Sequence, residues 1–126
     1  MDDSRVTLPV REPDEPPRAR VFWDWQQHAL WISGRYGMNY IEGHEIGLSP
    51  KLVRDLAEWS RVADAGFNED YPPDSEVPPG WAAEGLALAR RVRAELPAEW
   101  IVTARDPTSG RHFVLPARFR ETKAPT

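Results

Sequence analysis

Residues 48–66 read LSPKLVRDLAEWSRVADAG and carry the strongest local folding signal in the chain. Ser49 is a preferred N-cap residue, and Pro50 suits the first helical position because its missing N–H leaves no intrahelical bond unmade. Apolar residues then recur at helical spacing. The pattern predicts a helix over about residues 50–64 that stops near Gly66, a residue type favoured just beyond helix ends.

A second helical pattern starts near Trp81 and is closed by Pro97, which cannot continue a helix. Arginines are concentrated in its last turns, where their positive charge interacts favourably with the negative end of the helix dipole. Its predicted buried face comprises Ala82, Leu86, Ala89, Val92 and Leu96.

Strand-like segments flank the two helices. Residues 21–33 are rich in aromatic and β-branched side chains, which predicts two strands joined by a turn near 26–28. Residues 38–41 extend or pair with that sheet. After the second helix, two short apolar runs on either side of a turn at 106–110 predict a hairpin, and Pro116 makes its second arm a poor central strand.

The elements follow one another as strands, two helices and strands. Because the helices cannot bury their apolar stripes alone, we expect them to pack together on one face of an antiparallel sheet. The predicted fold class is α+β, a two-layer sandwich in the order ββ-α-α-ββ.

The length of 126 residues fits a single domain. We expect a flexible, proline-rich arm at residues 1–20, the α+β domain at residues 21–119 and a frayed tail at residues 120–126. The apolar residues that alternate over 6–10 leave a second possibility, in which the arm lies along the domain as a strand.

Composition excludes several classes of protein. The chain has no cysteine, which rules out disulfides, thiolate zinc sites and cysteine nucleophiles. No apolar stretch approaches the roughly 18 residues that a spanning helix needs, and no apolar run follows Met1. The net charge of −4 argues against nonspecific nucleic-acid binding. We therefore expect a cytoplasmic protein that binds neither membranes nor nucleic acid.

A long acidic connection separates the two predicted helices. Residues 62–89 contain six acids and no Lys or Arg, and four prolines stiffen the loop at residues 67–79. A negative surface of this kind complements a basic partner and steers its approach. The simpler interpretation is a solvated, charged face. The candidate partner-binding residues are Glu69, Asp70, Tyr71, Asp74, Glu76 and Trp81.

The sequence assembles no catalytic set. His44 lies near Glu42 and Glu45, but that spacing does not aim two ligands at one metal ion as a helical i, i+4 pair does. Asp24 stands between two tryptophans, where it could be an acid catalyst, but strand alternation accounts for that pattern more simply. We therefore predict no enzyme activity, no metal and no cofactor.

Six tryptophans are many for a chain of this length. Trp59 lies on the apolar stripe of the first helix, which predicts a core position. Trp23, Trp25 and Trp31 fall in the strand-rich segment, where an aromatic pocket could bind a small molecule. A small-molecule-binding or regulatory module is therefore the alternative function.

Two phrases resemble a known group of proteins. Residues 47–59 fit the pattern GLSPxLVxxLxxW, and residues 84–96 fit EGxxLARRxxxEL. Both patterns are similar to segments of small, uncharacterised, mostly actinobacterial proteins, some of which resemble immunity-type proteins that accompany secreted toxins. The excess of Arg over Lys, 14 to 2, is typical of a GC-rich bacterial genome.

Together these features favour a non-enzymatic interaction protein. The most specific form of this hypothesis is an immunity or inhibitor protein. Such a protein would neutralise a partner that has a basic surface by binding it with the acidic, aromatic loop. A homodimer is compatible with the sequence.

Overall fold

The computed structural model describes residues 16–34, 37–106 and 109–117, which form five strands and two α-helices. The elements are β1 (Pro17–Val21), β2 (Leu30–Gly34), β3 (Asn39–Ile41), α1 (Pro50–Gly66), α2 (Trp81–Glu95), β4 (Ile101–Arg105) and β5 (His112–Leu115). Short 3-10 turns precede α1 at His44–Ile46 and interrupt the helix–helix connection at Pro72–Asp74.

The five strands form one sheet in the order β3-β2-β1-β4-β5. The α+β class and the placement of both helices between strands are confirmed. The sheet is mixed, however, because β1 and β4 pair in parallel while the other three pairings are antiparallel. The two helices carry the chain back across the sheet, and this long crossover permits a parallel pair where a short hairpin does not.

The first strand starts earlier than the sequence indicated. It begins at Pro17, inside the segment expected to be a flexible arm, and ends at Val21, where the predicted strand started. Pro17 is almost fully buried and Ala19 is 1% exposed, so the alternation that builds this strand runs through small residues and a proline. Residues 1–15, with the apolar run at 6–10, lie outside the described residues, as does the predicted tail at 120–126.

The helices and the sheet share one apolar core. The buried stripe of α1 comprises Leu52, Leu56, Trp59, Ser60 and Ala63. That of α2 comprises Gly85, Leu88, Ala89, Val92 and Arg93. Both meet the inward residues of the central strands, which are Ala19, Val21, Leu30, Ile32, Val102 and Ala104. The core position of Trp59 is confirmed, whereas Ala82 and Leu86 are only half-buried.

The predicted cap of α1 is confirmed. The Leu52 N–H donates to the Ser49 hydroxyl over 3.3 Å. The Glu95 carboxylate accepts from both the Ser49 N–H, at 2.7 Å, and the Ser49 hydroxyl, at 2.8 Å. Glu95, the last residue of α2, therefore joins the end of α2 to the start of α1 at Ser49.

Replacing Ser49 with alanine is expected to lower the free energy of unfolding by about 1–2 kcal/mol, since both the cap and a bond to Glu95 are lost. Urea unfolding followed by circular dichroism measures this loss. Ser49→Thr keeps the acceptor and should retain most of the stability. An equal loss in both variants would contradict the capping role.

Gly66 has a different role from the one predicted. It is the last residue of α1 rather than a left-handed residue beyond its end. A Cβ atom at this position would collide with the carbonyl oxygen of Glu76. The Glu76 N–H donates to the Gly66 carbonyl over 2.9 Å, so a glycine is needed where the acidic loop returns to the helix.

Candidate protein-interaction site

The acidic loop, residues 67–79, connects α1 to α2 and is ordered by its own hydrogen bonds. The Asn68 side-chain oxygen accepts from the backbone N–H groups of Asp70, at 3.0 Å, and Tyr71, at 2.9 Å. The Asn68 N–H donates to the Ser75 hydroxyl over 2.8 Å. Sequence reasoning assigned the stiffness to prolines and missed these two polar residues, although Asn followed by turn residues is a recognisable loop signal.

Most of the predicted contact residues lie on the outer surface of this loop. Glu69, Asp70, Tyr71, Asp74 and Glu76 are all exposed, and Tyr71 is 58% exposed. None of the four carboxylates forms an ion pair with any residue that the structure describes. Among the described residues, the negative charge of the loop is therefore exposed to solvent and is not neutralised by a basic side chain.

Trp81, the sixth predicted contact, has a different environment. It is half-buried, and its ring stacks on Trp59 with centroids 4.3 Å apart and planes 5° apart. The two residues exchange hydrogen bonds: the Trp59 indole N–H donates to the Trp81 carbonyl at 2.8 Å, and the Trp81 indole N–H donates to the Trp59 carbonyl at 3.0 Å. This reciprocal pair fixes the end of the acidic loop to α1.

The start of the loop is fixed by a second aromatic group. Phe67 is half-buried, and its ring centroid lies 4.8 Å from that of Trp25 and 5.6 Å from that of Trp23. The Trp23 indole N–H donates to the Asp64 carboxylate over 2.9 Å, and the Gln26 N–H donates to the same oxygen over 3.0 Å. Asp64 therefore stabilises the loop after β1 rather than adding to the exposed negative surface.

The three tryptophans of the strand-rich segment do not line one pocket. Trp31 packs 4.8 Å from Tyr40 and alternates with Leu30 and Ile32, which places it on the face of the sheet opposite the helices. Trp23 and Trp25 lie instead against Phe67.

Asp24 accepts hydrogen bonds from the Trp25 N–H, at 2.9 Å, and from the Tyr40 hydroxyl, at 2.6 Å. Burial, together with this bond to a carboxylate, raises the pKa of Tyr40 to about 12. Asp24 thus holds the β1–β2 connection against β3.

His112, on the far edge strand, has its pKa lowered by burial and by the neighbouring Arg20 and Arg105.

One apolar pocket of about 300 Å³ lies between the C-terminal ends of β1 and β4 and the first half of α2. Trp59 and Trp81 line it together with Trp23, and Val77 of the acidic loop closes one side. The other lining residues are Val21, Phe22, Ala82, Gly85, Leu86, Ala104 and Arg105. Sequence reasoning missed this pocket because its walls come from β1, α1, the acidic loop, α2 and β4, which are spread along the chain.

In the histidine and acid cluster before α1, both side chains are exposed and His44 Nδ1 lies 3.2 Å from Glu42 Oε1. Within residues 16–34, 37–106 and 109–117, no three side chains of the metal-binding types come together. Neither helix in these ranges has the length and apolarity to cross a membrane.

The described residues thus form a small α+β domain with an ordered, exposed acidic loop between its two helices. The chain belongs to the Serratia CdiI immunity protein-like family, whose model matches residues 17–106. The match begins at the first residue of β1 and includes both helices and the whole acidic loop. No curated protein matches the chain. Family membership confirms the resemblance to immunity-type proteins and supports a role in which the chain binds a protein.

Proposed function

We propose that this chain is a non-enzymatic, cytoplasmic immunity protein that neutralises a toxin by binding its basic surface with the acidic loop. The observation that carries the proposal is a set of four exposed carboxylates on one ordered loop, Glu69, Asp70, Asp74 and Glu76, none of which pairs with a basic side chain in the described part of the chain. Family membership supports the protein-binding role, and the loop supplies the surface for it.

The electrostatics fit a partner that acts on an anionic substrate. A toxin that cleaves nucleic acid needs a cleft lined with positive charge. Carboxylates on a protruding loop can occupy such a cleft in place of phosphates. Attraction between opposite charges also accelerates encounter, so the protein would capture its toxin quickly at low ionic strength.

The order of the loop lowers the entropic cost of binding. Its backbone is held by Asn68 and Ser75, and its two ends are fixed by Phe67 and Trp81. Little conformational freedom therefore remains to be lost when a partner binds. Tyr71 adds an exposed aromatic ring among the carboxylates, a residue type enriched at binding hot spots.

Affinity capture from the lysate of a GC-rich bacterium tests the proposal. The wild-type protein should retain a basic protein that high salt releases, because interactions between exposed charges are screened. Asp70→Lys combined with Asp74→Lys should lose this protein even at low salt.

The matched control reverses Glu42 and Glu45 to lysine, which changes the net charge equally at an exposed site before α1. The control should retain the partner. Equal retention by the loop variant and the control would contradict the assignment of the binding surface. If the wild-type protein captured no specific protein at low salt, the small-molecule alternative would be favoured, with the pocket beside α2 as its site.

A further inference from the structure

We infer that the pocket beside α2 receives one large apolar side chain carried by a basic segment of the protein partner. This inference rests on the proposed function and adds an anchor to it. It also gives Trp81, which stands apart from the exposed loop residues, a role in binding as a wall of the pocket.

The position of the pocket links it to the acidic loop. Val77, which is 47% exposed, lines the pocket and directly follows the exposed Glu76. A side chain that enters past Val77 therefore belongs to a segment that also runs along the loop carboxylates. Charge complementarity makes that segment basic.

The chemistry of the walls selects an apolar occupant. The indole N–H groups of Trp23, Trp59 and Trp81 all donate to groups of this chain, with distances of 2.8–3.0 Å. The rings therefore offer apolar surface rather than hydrogen-bond donors to a guest. The Arg105 Nε donates to the Gly110 carbonyl over 3.2 Å, which engages this guanidinium with the β4–β5 turn.

The size and rigidity of the pocket suit a single anchor. Its volume of about 300 Å³ accommodates an aromatic or large aliphatic side chain. Trp23 packs edge-to-face on Trp81 with ring centroids 6.4 Å apart, and Trp81 stacks on Trp59, so the walls are already in place. Preformed pockets filled by one aromatic residue are typical binding hot spots. Basic side chains on either side of the anchor in the partner segment would contact the faces of the indole rings and the loop carboxylates.

Three capped pentapeptides test the inference by nuclear magnetic resonance. The first has phenylalanine between two pairs of lysines, the second has alanine in place of phenylalanine, and the third has glutamates in place of the lysines. The phenylalanine–lysine peptide should bind about tenfold more tightly than the alanine–lysine peptide, which is the expected effect of burying one aromatic side chain. The signals that shift should include the Trp23 and Trp81 indole N–H groups and the Val77 amide.

Two matched variants locate the binding. Ala82→Leu places a larger side chain on the pocket wall and should abolish the preference for phenylalanine, while Ala83→Leu, at an exposed position one residue away, should leave it unchanged. Both changes replace one strong helix former with another, so both variants should fold, as circular dichroism can verify.

The outcomes separate the anchor from the loop. The phenylalanine and alanine peptides could bind equally well, and the double variant Asp70→Lys with Asp74→Lys could abolish the binding of both. That result would overturn the anchor and leave the loop proposal intact. A phenylalanine preference that survives this charge reversal with unchanged affinity would leave the anchor and overturn the loop proposal. Equal binding of the glutamate peptide would overturn the basic character of the segment. Tighter binding of free indole than of the phenylalanine–lysine peptide would overturn the inference in favour of a small-molecule pocket.

Discussion

Replacing Arg93 with methionine is expected to lower the free energy of unfolding by about 3–5 kcal/mol, a large part of the stability of a small domain. Arg93 is 2% exposed, and its guanidinium donates to three carbonyl groups beyond the end of α2. The distances are 2.8 Å to Trp100, 3.2 Å to Leu96 and 2.7 Å to Pro97. Each charge-assisted bond of this kind contributes about 1.5–3 kcal/mol, and the three are coupled, so the losses do not simply add.

Urea unfolding of Arg93→Met, Arg93→Lys and Arg90→Met measures this effect. Arg90 is exposed on the same helix, so Arg90→Met should change stability by no more than about 0.5 kcal/mol. Arg93→Lys should also be strongly destabilised, because an ammonium group cannot reproduce the planar donor geometry that joins the end of α2 to β4. A loss below about 1 kcal/mol in Arg93→Met would show that these bonds contribute little.

Replacing Trp59 with alanine is expected to lower the free energy of unfolding by about 3–5 kcal/mol. It should also turn the effect of Gly85→Ala from destabilising to stabilising. Trp59 is 5% exposed and stacks on Trp81. A Cβ atom on Gly85 would lie 2.5 Å from Trp59 Cζ2, so Gly85→Ala overpacks the helix–helix contact in the wild-type protein. In the Trp59→Ala background that clash is absent, and Gly85→Ala should stabilise by about 1 kcal/mol through helix propensity.

A double-mutant cycle of Trp59→Ala and Gly85→Ala should therefore show a coupling energy of about 1–3 kcal/mol. Trp31→Ala is the control, because Trp31 lies on the far face of the sheet. Its effect should add to that of Gly85→Ala. Additive effects of Trp59→Ala and Gly85→Ala would contradict the close packing that makes glycine necessary at this position.

The helices were predictable because their signals are local. The Ser49–Pro50 start and the apolar stripe of α1 depend on neighbouring residues, and the structure confirms both. Arg93 was expected to favour the end of α2, and the structure shows it buried and bonded to three carbonyls. The β4–β5 hairpin was predictable from its turn for the same reason.

The parallel pairing of β1 with β4 was not predictable in this way, because it depends on how two distant segments meet. The start of β1 was missed because a buried proline in a charged, proline-rich segment looks like an unstructured arm. Gly66 was interpreted as a helix terminator, whereas the close approach of Glu76 explains it.

The exposed carboxylates of the candidate site could be predicted from composition, since a run of acids without bases is usually solvated. The pocket could not, because residues from β1, α1, the loop, α2 and β4 converge there only in the folded protein. Trp81 was predicted as a partner contact at the start of the second helix, whereas its stacking on Trp59 depends on the packing of α1 against α2.

Hydrogen–deuterium exchange of the protein, free and bound to the partner recovered by affinity capture, would show whether the acidic loop is the binding surface. If the acidic loop binds the partner, the amides of residues 67–79 and of the first turn of α2 should exchange more slowly in the complex. The exchange rates of the amides in the edge strand β5 should be unchanged. Protection confined to the sheet, with unchanged exchange over residues 67–79, would contradict the account.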